Sequence, residues 1–291
     1  MVGIIEPLLQ GAIDMHVHVS PDVTDRKLDF LEAAKECREA GMKGLVYKDQ
    51  STLTIDRAYA VNKLFPEIQA FGGIVLNLSI GGLNSHAVNN AIKRGAKIIW
   101  MPVEQTLHSI KTREKLKWKF LGPSTLSPDK ALTILDKKEE LVPEVIEIID
   151  IIAKANIILA TGHISPQESL ILIEEAKKRG VEKILVTHPS AETIDASLDE
   201  QKEMVKKGAY LEHCFAPCMP AFDRLDPEKI SQSIKLVKAE NCVMSSDFGQ
   251  IFNPTPVEGM IMYIRHMQKL GITDKEIQTM VKINPIKLLG I

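Results

Sequence analysis

Short apolar segments recur along the chain, and stretches with polar residues and helical spacing separate them. β-Branched residues are common in these segments, and residues 157–159, Ile-Ile-Leu, contain no polar position at all. Continuous apolar character is typical of strands that are buried on both faces, as in a parallel sheet. The pattern predicts eight strands, at residues 12–19, 43–48, 68–76, 97–101, 157–161, 183–187, 209–213 and 242–246.

Start and stop signals between these strands predict helices. Residues 165–168, Ser-Pro-Gln-Glu, combine an N-cap serine, a first-turn proline and a capping-box glutamate, and Gly180 ends that helix. Asp-Pro-Glu at residues 226–228 opens another helix in the same way. A further helix is predicted over residues 25–40, ending at Gly41, and residues 141–155 show apolar positions at helical spacing.

Strict alternation of strand and helix implies right-handed parallel crossovers. A doubly wound sheet would be the alternative, but it usually carries a glycine-rich phosphate turn after its first strand. Here residues 15–18, Met-His-Val-His, occupy that position. We therefore expect an α/β fold, a single (β/α)8 TIM barrel domain over residues 1–291.

One long segment departs from the repeat. Residues 102–135, after the fourth predicted strand, show no clear periodicity. Loops of that length in a compact domain are usually functional. Trp118 and Phe120 within it indicate a lid over the mouth of the active site.

Composition restricts the partners and the compartment. Charged residues make up 25% and apolar residues 45%, as in an average globular protein, and the formal charge is -2. This balance gives no reason to expect nucleic acid as a partner. No apolar run is long enough to span a membrane, and residues 1–10 lack the features of a signal peptide. We expect a cytoplasmic protein that acts on a small molecule. The composition is also compatible with a homo-oligomer.

Four cysteines are too few and too scattered for a disulfide framework, so a reducing compartment is expected. Cys214 and Cys218 follow His213 closely, and a structural metal site is one interpretation. No fourth soft ligand accompanies them, so buried thiols are the preferred interpretation.

Polar side chains lie at the predicted carboxyl ends of the strands, where TIM barrels carry their chemistry. The chain has eight histidines, and five of them fall at these ends. His16 and His18 are two apart on one strand, so both point to the barrel interior. Two buried imidazoles are costly unless they bind something, and a metal ion is the expected ligand. The strand-end residues are His16, His18, Lys48, Glu104, His163, His188, Glu212, His213 and Asp247.

These residues, taken in order, resemble the amidohydrolase superfamily. Its members carry His-x-His at strand one, often a bridging carboxylate at strand four, histidines at strands five and six, and an aspartate at strand eight. A glutamate at strand four is similar to the TatD-like and phosphotriesterase-like branches. Residues 245–250, Ser-Ser-Asp-Phe-Gly-Gln, resemble an uncharacterised group of amidohydrolase-related proteins. The matching positions here are His16, His18, Glu104, His163, His188 and Asp247.

The resemblance implies a hydrolase with one or two divalent metal ions. His16, His18 and Asp247 would hold one ion, and His163 with His188 the other. Zinc is the first expectation, and Mn, Fe, Co or Ni suit the same ligands. A metal-activated hydroxide would cleave a small ester, lactone, amide or phosphoester, with Asp247 taking the proton.

The residue that bridges two ions stays open at this point. Glu104 lies three residues beyond the predicted fourth strand. A carbamylated Lys48 is the rival, although such lysines usually come from strand four. An unmodified Lys48 that binds a substrate anion is an equal alternative, and without a bridge a single-metal site remains.

For the remaining candidate residues, a packing or surface role competes with a functional one. Glu212 and His213 point to opposite faces of one strand, so only one can face the interior. His213 is expected to contact substrate or to pack, and His108 in the long loop to contact substrate. His86 and His266 are expected to be surface or packing residues.

Three alternatives compete with a small-molecule hydrolase. A single-metal deaminase would usually carry a glutamate three residues after the strand-five histidine, where Pro166 stands and Glu168 is more simply a helix cap. A non-catalytic metal-binding protein could share the fold. A TatD-like nuclease would use a basic run in the long loop, formed here by Lys111, Arg113, Lys115, Lys117 and Lys119.

Overall fold

The structure, a computed structural model, describes residues 6–113, 115–116 and 126–291. The strands in these ranges are β1 (Ile13–Val17), β2 (Gly44–Tyr47), β3 (Gln69–Phe71), β4 (Gly73–Val75), β5 (Ile98–Trp100), β6 (Ile158–Ala160), β7 (Ile184–Thr187), β8 (Tyr210–Cys214) and β9 (Cys242–Ser245). The α-helices there are α1 (Phe30–Glu39), α2 (Ile55–Leu64), α3 (Ser85–Lys93), α4 (Leu107–Arg113), α5 (Pro143–Ala155), α6 (Pro166–Lys178), α7 (Leu198–Lys206), α8 (Pro227–Val237), α9 (Pro256–Lys269), α10 (Asp274–Gln278) and α11 (Asn284–Leu289).

All paired strands run parallel, which confirms the predicted α/β class. Strands β1 to β3 form one sheet in that order, and β4 to β9 form a second sheet. Each predicted strand overlaps an observed one, and only the third, residues 68–76, is divided in two. The division falls at Gly72, where a Cβ would lie 2.6 Å from backbone atoms of Thr54 and Ile55. The start of α2 therefore packs directly on this point of the sheet.

The first and last strands approach each other at their carboxyl ends. The Asp247 amide donates to the His16 carbonyl at 2.9 Å, and the His18 amide donates to the Phe248 carbonyl at 2.8 Å. Val17 and Phe248 form a parallel bridge. Residues that immediately follow β1 and β9 are therefore neighbours in space.

Apolar side chains alternate between two buried groups along the strands. On β5, Ile98 and Trp100 belong to a buried group made mostly of strand residues, whereas Ile99 belongs to a larger group that includes many helix residues. On β2, Val46 and Leu45 divide in the same way. Both faces of the strands are buried, as their continuous apolar character predicts.

Helix α6 begins and ends as predicted, with a capping box between Ser165 and Glu168. Helix α8 begins at the predicted Asp226 cap, and α5 begins two residues later than expected, at Pro143. The prediction for α1 was wrong at its start. Asp29 caps that helix by accepting hydrogen bonds from the amides of residues 31 and 32, so residues 20–29 form a loop instead.

The long segment after β5 contains helix α4 and a 3-10 turn at Pro128–Lys130. The predicted lid residues Trp118 and Phe120 lie outside the described residues, so the lid stays a prediction. Among the residues that are described, no helix is both long enough and apolar enough to cross a bilayer.

Candidate metal centre

His16, His18 and Asp247 converge where β1 and β9 end. His16 Nε2 lies 3.2 Å from Asp247 Oδ1, and His18 Nε2 lies 3.1 Å from the same oxygen. The backbone hydrogen bonds between the ends of β1 and β9 bring these three side chains together. Three donor atoms within one small volume form a group that could hold a metal ion.

His163 and His188 form a second pair beside this group. Their Nε2 atoms are 3.0 Å apart, and the rings of His16 and His188 stack with centroids 6.2 Å apart. Gly162, with φ 60°, precedes His163, and a Cβ there would overlap the Met101 carbonyl. A side chain at residue 162 would therefore displace His163 from the site.

Two of the converging residues have strained backbones. Asp247 has φ 56° and His188 has φ 27°, in the region that favours glycine. Such conformations cost about 1–3 kcal/mol each and persist where surrounding contacts hold them. The hydrogen bond from the Asp247 amide to the His16 carbonyl is one such contact. Strain of this kind clusters at functional sites, which favours a functional role for these two residues.

The imidazoles are neutral at pH 7. Burial lowers the pKa of His16, His18 and His163 well below the usual value, and lowers the pKa of His188 to about 3. Neutral imidazole is the form that binds metal. His16 Nε2 is buried and has no hydrogen-bond partner among the described residues.

Within each of the two groups, the separations between the donor atoms fit a bound cation. Nitrogen atoms bound to one tetrahedral zinc ion at about 2.0–2.1 Å lie about 3.3 Å apart. The observed separations of 3.0–3.2 Å are close to that value. The residues present therefore fit a divalent metal ion.

Glu212 is a buried neighbour of this group that strand alternation alone did not select. Its Oε2 lies 3.3 Å from His16 Nδ1, and Ser245 Oγ donates to its Oε1 at 3.0 Å. Burial raises the pKa of Glu212 to about 8. Contact at Nδ1 holds the His16 ring with Nε2 facing Asp247, as carboxylates beside metal-binding histidines commonly do. Cys214 Sγ lies 3.6 Å from the same Nδ1 and is a second neighbour of this nitrogen.

His213 points the other way, as the alternation on β8 requires. Its Nε2 lies 3.2 Å from Ser233 Oγ on α8, and Tyr263 donates to its carbonyl at 3.2 Å. Burial lowers the pKa of its ring to about 3. This position, between strand and helices, corresponds to the packing alternative rather than to the predicted substrate contact.

A cavity of about 520 Å³ opens beside the candidate ligands, and His18, His163, His188 and Asp247 line it. Lys48 lines the same cavity and is only 1% exposed. Its ammonium lies 5.5 Å from the centre of the Trp100 ring. Burial lowers the pKa of Lys48, although Asp247 and Glu212 oppose that effect. Within the described ranges no carboxylate lies within ion-pair distance of Lys48 Nζ, so the side chain faces the cavity without an ion-pair partner there.

Glu104 lies on the cavity wall and is not brought into the group of histidines. Its side chain is 34% exposed, and Arg113 Nη2 lies 3.6 Å from Glu104 Oε2. The metal-bridging role of Glu104 therefore stays a prediction. His108, on α4, has a buried Nε2 without a hydrogen-bond partner in the described part of the chain. His108 is not among the residues that line the cavity, so its substrate contact stays a prediction.

Asp14 lies below His16 on β1. Its Oδ1 accepts hydrogen bonds from the amides of His16 at 3.2 Å and Ser246 at 3.0 Å, which links β1 to β9. Burial raises the pKa of Asp14 to about 7. His86 and His266 are exposed, as expected.

The loop at residues 20–29 forms another wall of the cavity. Arg26 pairs with Asp22 at 2.7 Å and approaches His18 Nδ1 at 3.4 Å. An antiparallel bridge joins Arg26 to Gln250. This wall differs from the helix that the sequence predicts over residues 25–40.

Residues 11–212 match the model of a family of unknown function, DUF6282. The chain belongs to this family. The matched range includes most of the candidate ligands, and Asp247 lies beyond it. A search of curated proteins finds no match to this DUF6282 member.

Solved structures share the fold of this DUF6282 protein at low sequence identity. An amidohydrolase from Pseudomonas aeruginosa matches with a TM-score of 0.61 and 12% identity, over 97% of this chain and 96% of that one. A phosphotriesterase homology protein from Escherichia coli matches with 0.62 and 12%, over 97% and 99%. A 2,6-dihydroxybenzoate decarboxylase from Rhizobium matches with 0.54 and 11%, over 97% and 99%. These structures share the fold that the resemblance to the amidohydrolase superfamily implies.

Proposed function

We propose that this DUF6282 protein is a metal-dependent hydrolase that cleaves a small ester, lactone, amide or phosphoester. The observation that carries the proposal is the convergence of His16, His18 and Asp247 beside the His163–His188 pair. The four imidazoles are neutral, and His18, His163, His188 and Asp247 line one cavity. Within each group the donor atoms lie at separations that suit a bound cation. The E. coli neighbour was solved with phosphate in its active site, which supports phosphoesters as one substrate class.

We further propose that the two sheets form one closed (β/α)8 barrel, a single domain over the whole chain. Only Gly72 separates β3 from β4, and two backbone hydrogen bonds join the ends of β1 and β9. The alternation of buried side chains between a group made mostly of strand residues and a larger group that includes many helix residues supports closure. Similarity to neighbours over 97% of the chain agrees with a single domain.

Each ligand has an assigned place in the proposed site. His16, His18 and Asp247 would hold one divalent ion, and His163 with His188 would hold the second. When bound, such ions polarise a carbonyl or phosphoryl oxygen and acidify water. Zinc is the preferred ion, since imidazole and carboxylate ligands suit it well.

The chain's own residues supply positioning and proton transfer. Asp247 directs Oδ1 at both imidazoles, so we assign to Oδ2 the proton that the attacking water loses. That proton passes to the leaving oxygen or nitrogen, while the hydroxyl of the water joins the acyl carbon or the phosphorus. Lys48 holds an anionic oxygen of the substrate, because its buried ammonium faces the cavity.

The alternatives have less support. Carboxylates outnumber cations on the cavity wall, which disfavours a polyanion and therefore a nuclease. The deaminase alternative is weakened because Glu168 accepts from the Ser165 amide as a helix cap. All four cysteines are free, which supports a reducing compartment such as the cytoplasm.

Metal analysis with a turnover panel tests this function. Elemental mass spectrometry of protein purified without chelator should find one or two equivalents of zinc or a similar ion. It should hydrolyse at least one of an aryl ester, a γ-lactone, an N-acyl amino acid and an aryl phosphodiester. Incorporation of oxygen from ¹⁸O-labelled water into the product would distinguish hydrolysis from decarboxylation.

Removal of the metal provides the control for that panel. A chelator should abolish turnover, and added zinc or manganese should restore it. The melting temperature should also fall on removal, because an ion that binds only the folded state stabilises it. Metal without turnover on any substrate would instead indicate a non-catalytic metal-binding protein.

The role of Lys48 can be tested by the variant Lys48→Met, which keeps the length of the side chain without its charge. For an anionic substrate kcat/KM should fall by about 30-fold or more, since a buried charged partner contributes strongly to binding. A neutral analogue of the same substrate should lose less than about threefold by the same reasoning. Equal losses for both substrates would contradict anion binding and would favour a structural or metal-bridging role for Lys48.

A further inference from the structure

Four large apolar side chains lie at the mouth of the cavity. We call Val23, Phe222, Ile251 and Phe252 the rim cluster. All four line the cavity that contains His18, His163, His188 and Asp247. Val23 is 74% exposed, Ile251 54% and Phe252 45%. The rings of Phe222 and Phe252 have centroids 6.2 Å apart.

The rim cluster is assembled from three separate loops. Val23 lies in the loop after β1, Phe222 in the segment after β8, and Ile251 with Phe252 after β9. Single exposed apolar residues are ordinary, but several that converge on one concave site usually mark a binding surface. Other exposed apolar residues, such as Leu64 and Ile283, do not line this cavity.

The cavity is therefore divided by chemistry from bottom to mouth. Imidazoles, Asp247 and the Lys48 ammonium occupy the bottom, and the rim cluster supplies apolar surface at the entrance. A volume of about 520 Å³ suits a ligand larger than the reacting group alone. One molecule with a polar end and an apolar end would satisfy both regions.

Resting on the proposed function, we infer that the substrate carries an apolar group, aryl or alkyl, that packs on the rim cluster while its reacting group faces Asp247. The rim cluster then acts as the determinant of specificity for an amphipathic acyl or aryl ester, amide or phosphoester. A hydrophilic substrate of similar size gains nothing from these side chains.

The occupant is a small molecule rather than a partner protein because the rim cluster lines a concave cavity continuous with the candidate ligands. A stable protein interface buries about 800 Å² on each partner, a much broader surface than four side chains around an opening. A small-molecule substrate can contact the rim cluster and the candidate ligands at the same time.

Binding of linear carboxylates, from acetate to octanoate, tests the inference without requiring turnover. Titration calorimetry on the metal-loaded protein should show affinity increasing with chain length, by about fourfold for each methylene that reaches the rim. Octanoate should therefore bind at least about 30-fold more tightly than acetate.

The double variant Ile251→Ser/Phe252→Ser should reduce that ratio to below about fivefold, with acetate affinity unchanged, because these exposed side chains contribute only to the apolar end. The matched control, Leu64→Ser/Ile283→Ser, removes apolar residues of similar exposure elsewhere and should keep the wild-type ratio. A ratio unchanged in the rim variant, or no dependence on chain length in the wild type, overturns the inference.

The two proposals fail separately in this design. Absence of turnover on the whole substrate panel removes the hydrolase but leaves the chain-length dependence measurable. Light scattering on the same variants examines the remaining occupant, a second copy of the chain. A change of oligomeric state in the rim variant, without a change in carboxylate binding, would make the rim cluster an interface and overturn its role in specificity.

Discussion

Replacement of Asp247 by asparagine is expected to reduce turnover by about 10³-fold or more while the protein stays folded. Asp247 Oδ1 contacts both His16 Nε2 and His18 Nε2, at 3.2 and 3.1 Å. An amide has no negative charge to offset a cation and cannot accept the proton that a carboxylate takes. Both the metal affinity and the proton transfer should therefore be lost together.

The measurement is kcat/KM on whichever panel substrate is cleaved, together with metal content and thermal unfolding. Asp199→Asn, at an exposed position on α7, is the matched control for the same chemical change and should keep full activity. Retention of more than about a tenth of wild-type activity in Asp247→Asn would contradict the proton-transfer role.

His163→Ala is expected to remove the second ion and to reduce turnover by at least about 100-fold. His163 Nε2 lies 3.0 Å from His188 Nε2, so its loss leaves that ion a single imidazole. In a two-ion protein, elemental analysis should find one equivalent fewer than in the wild type. His16, His18 and Asp247 should still hold the other ion.

The control for His163→Ala is His86→Ala, which removes an exposed histidine on α3. It should keep wild-type metal content and activity. Unchanged metal content and turnover in His163→Ala would exclude the pair with His188 from the proposed site.

Strand positions were predictable from sequence because their apolar residues are continuous. The one division that sequence did not indicate, at Gly72, depends on backbone atoms of Thr54 and Ile55 that come close only in the folded chain. The start of α1 could have been located, since Asp29 and Glu32 form the Asp-x-x-Glu signature of a capping box.

Convergence of the five predicted ligands was predictable because the carboxyl ends of parallel strands meet at one edge of a sheet. Which of Glu212 and His213 faces His16 was not predictable, because strand alternation requires only that the two point to opposite faces. Register against β9 decides it, with Glu212 aligned to Val243 and directed inward to His16. Glu104 and the rim cluster belong to loops, whose paths depend on tertiary contacts such as the pair between Glu104 and Arg113.

The loop at residues 20–29 has a consequence for how such a protein can diversify. Strand β1 ends before it, and α1 begins from its own cap at Asp29, so both flanking elements keep their local stabilisation when residues 21–28 change. Insertions or replacements there would alter the cavity wall around Val23 and Arg26 without disturbing the strands that carry the imidazoles. We expect evolution, or a protein engineer, to obtain new selectivity from this short stretch while the chemistry beneath stays the same.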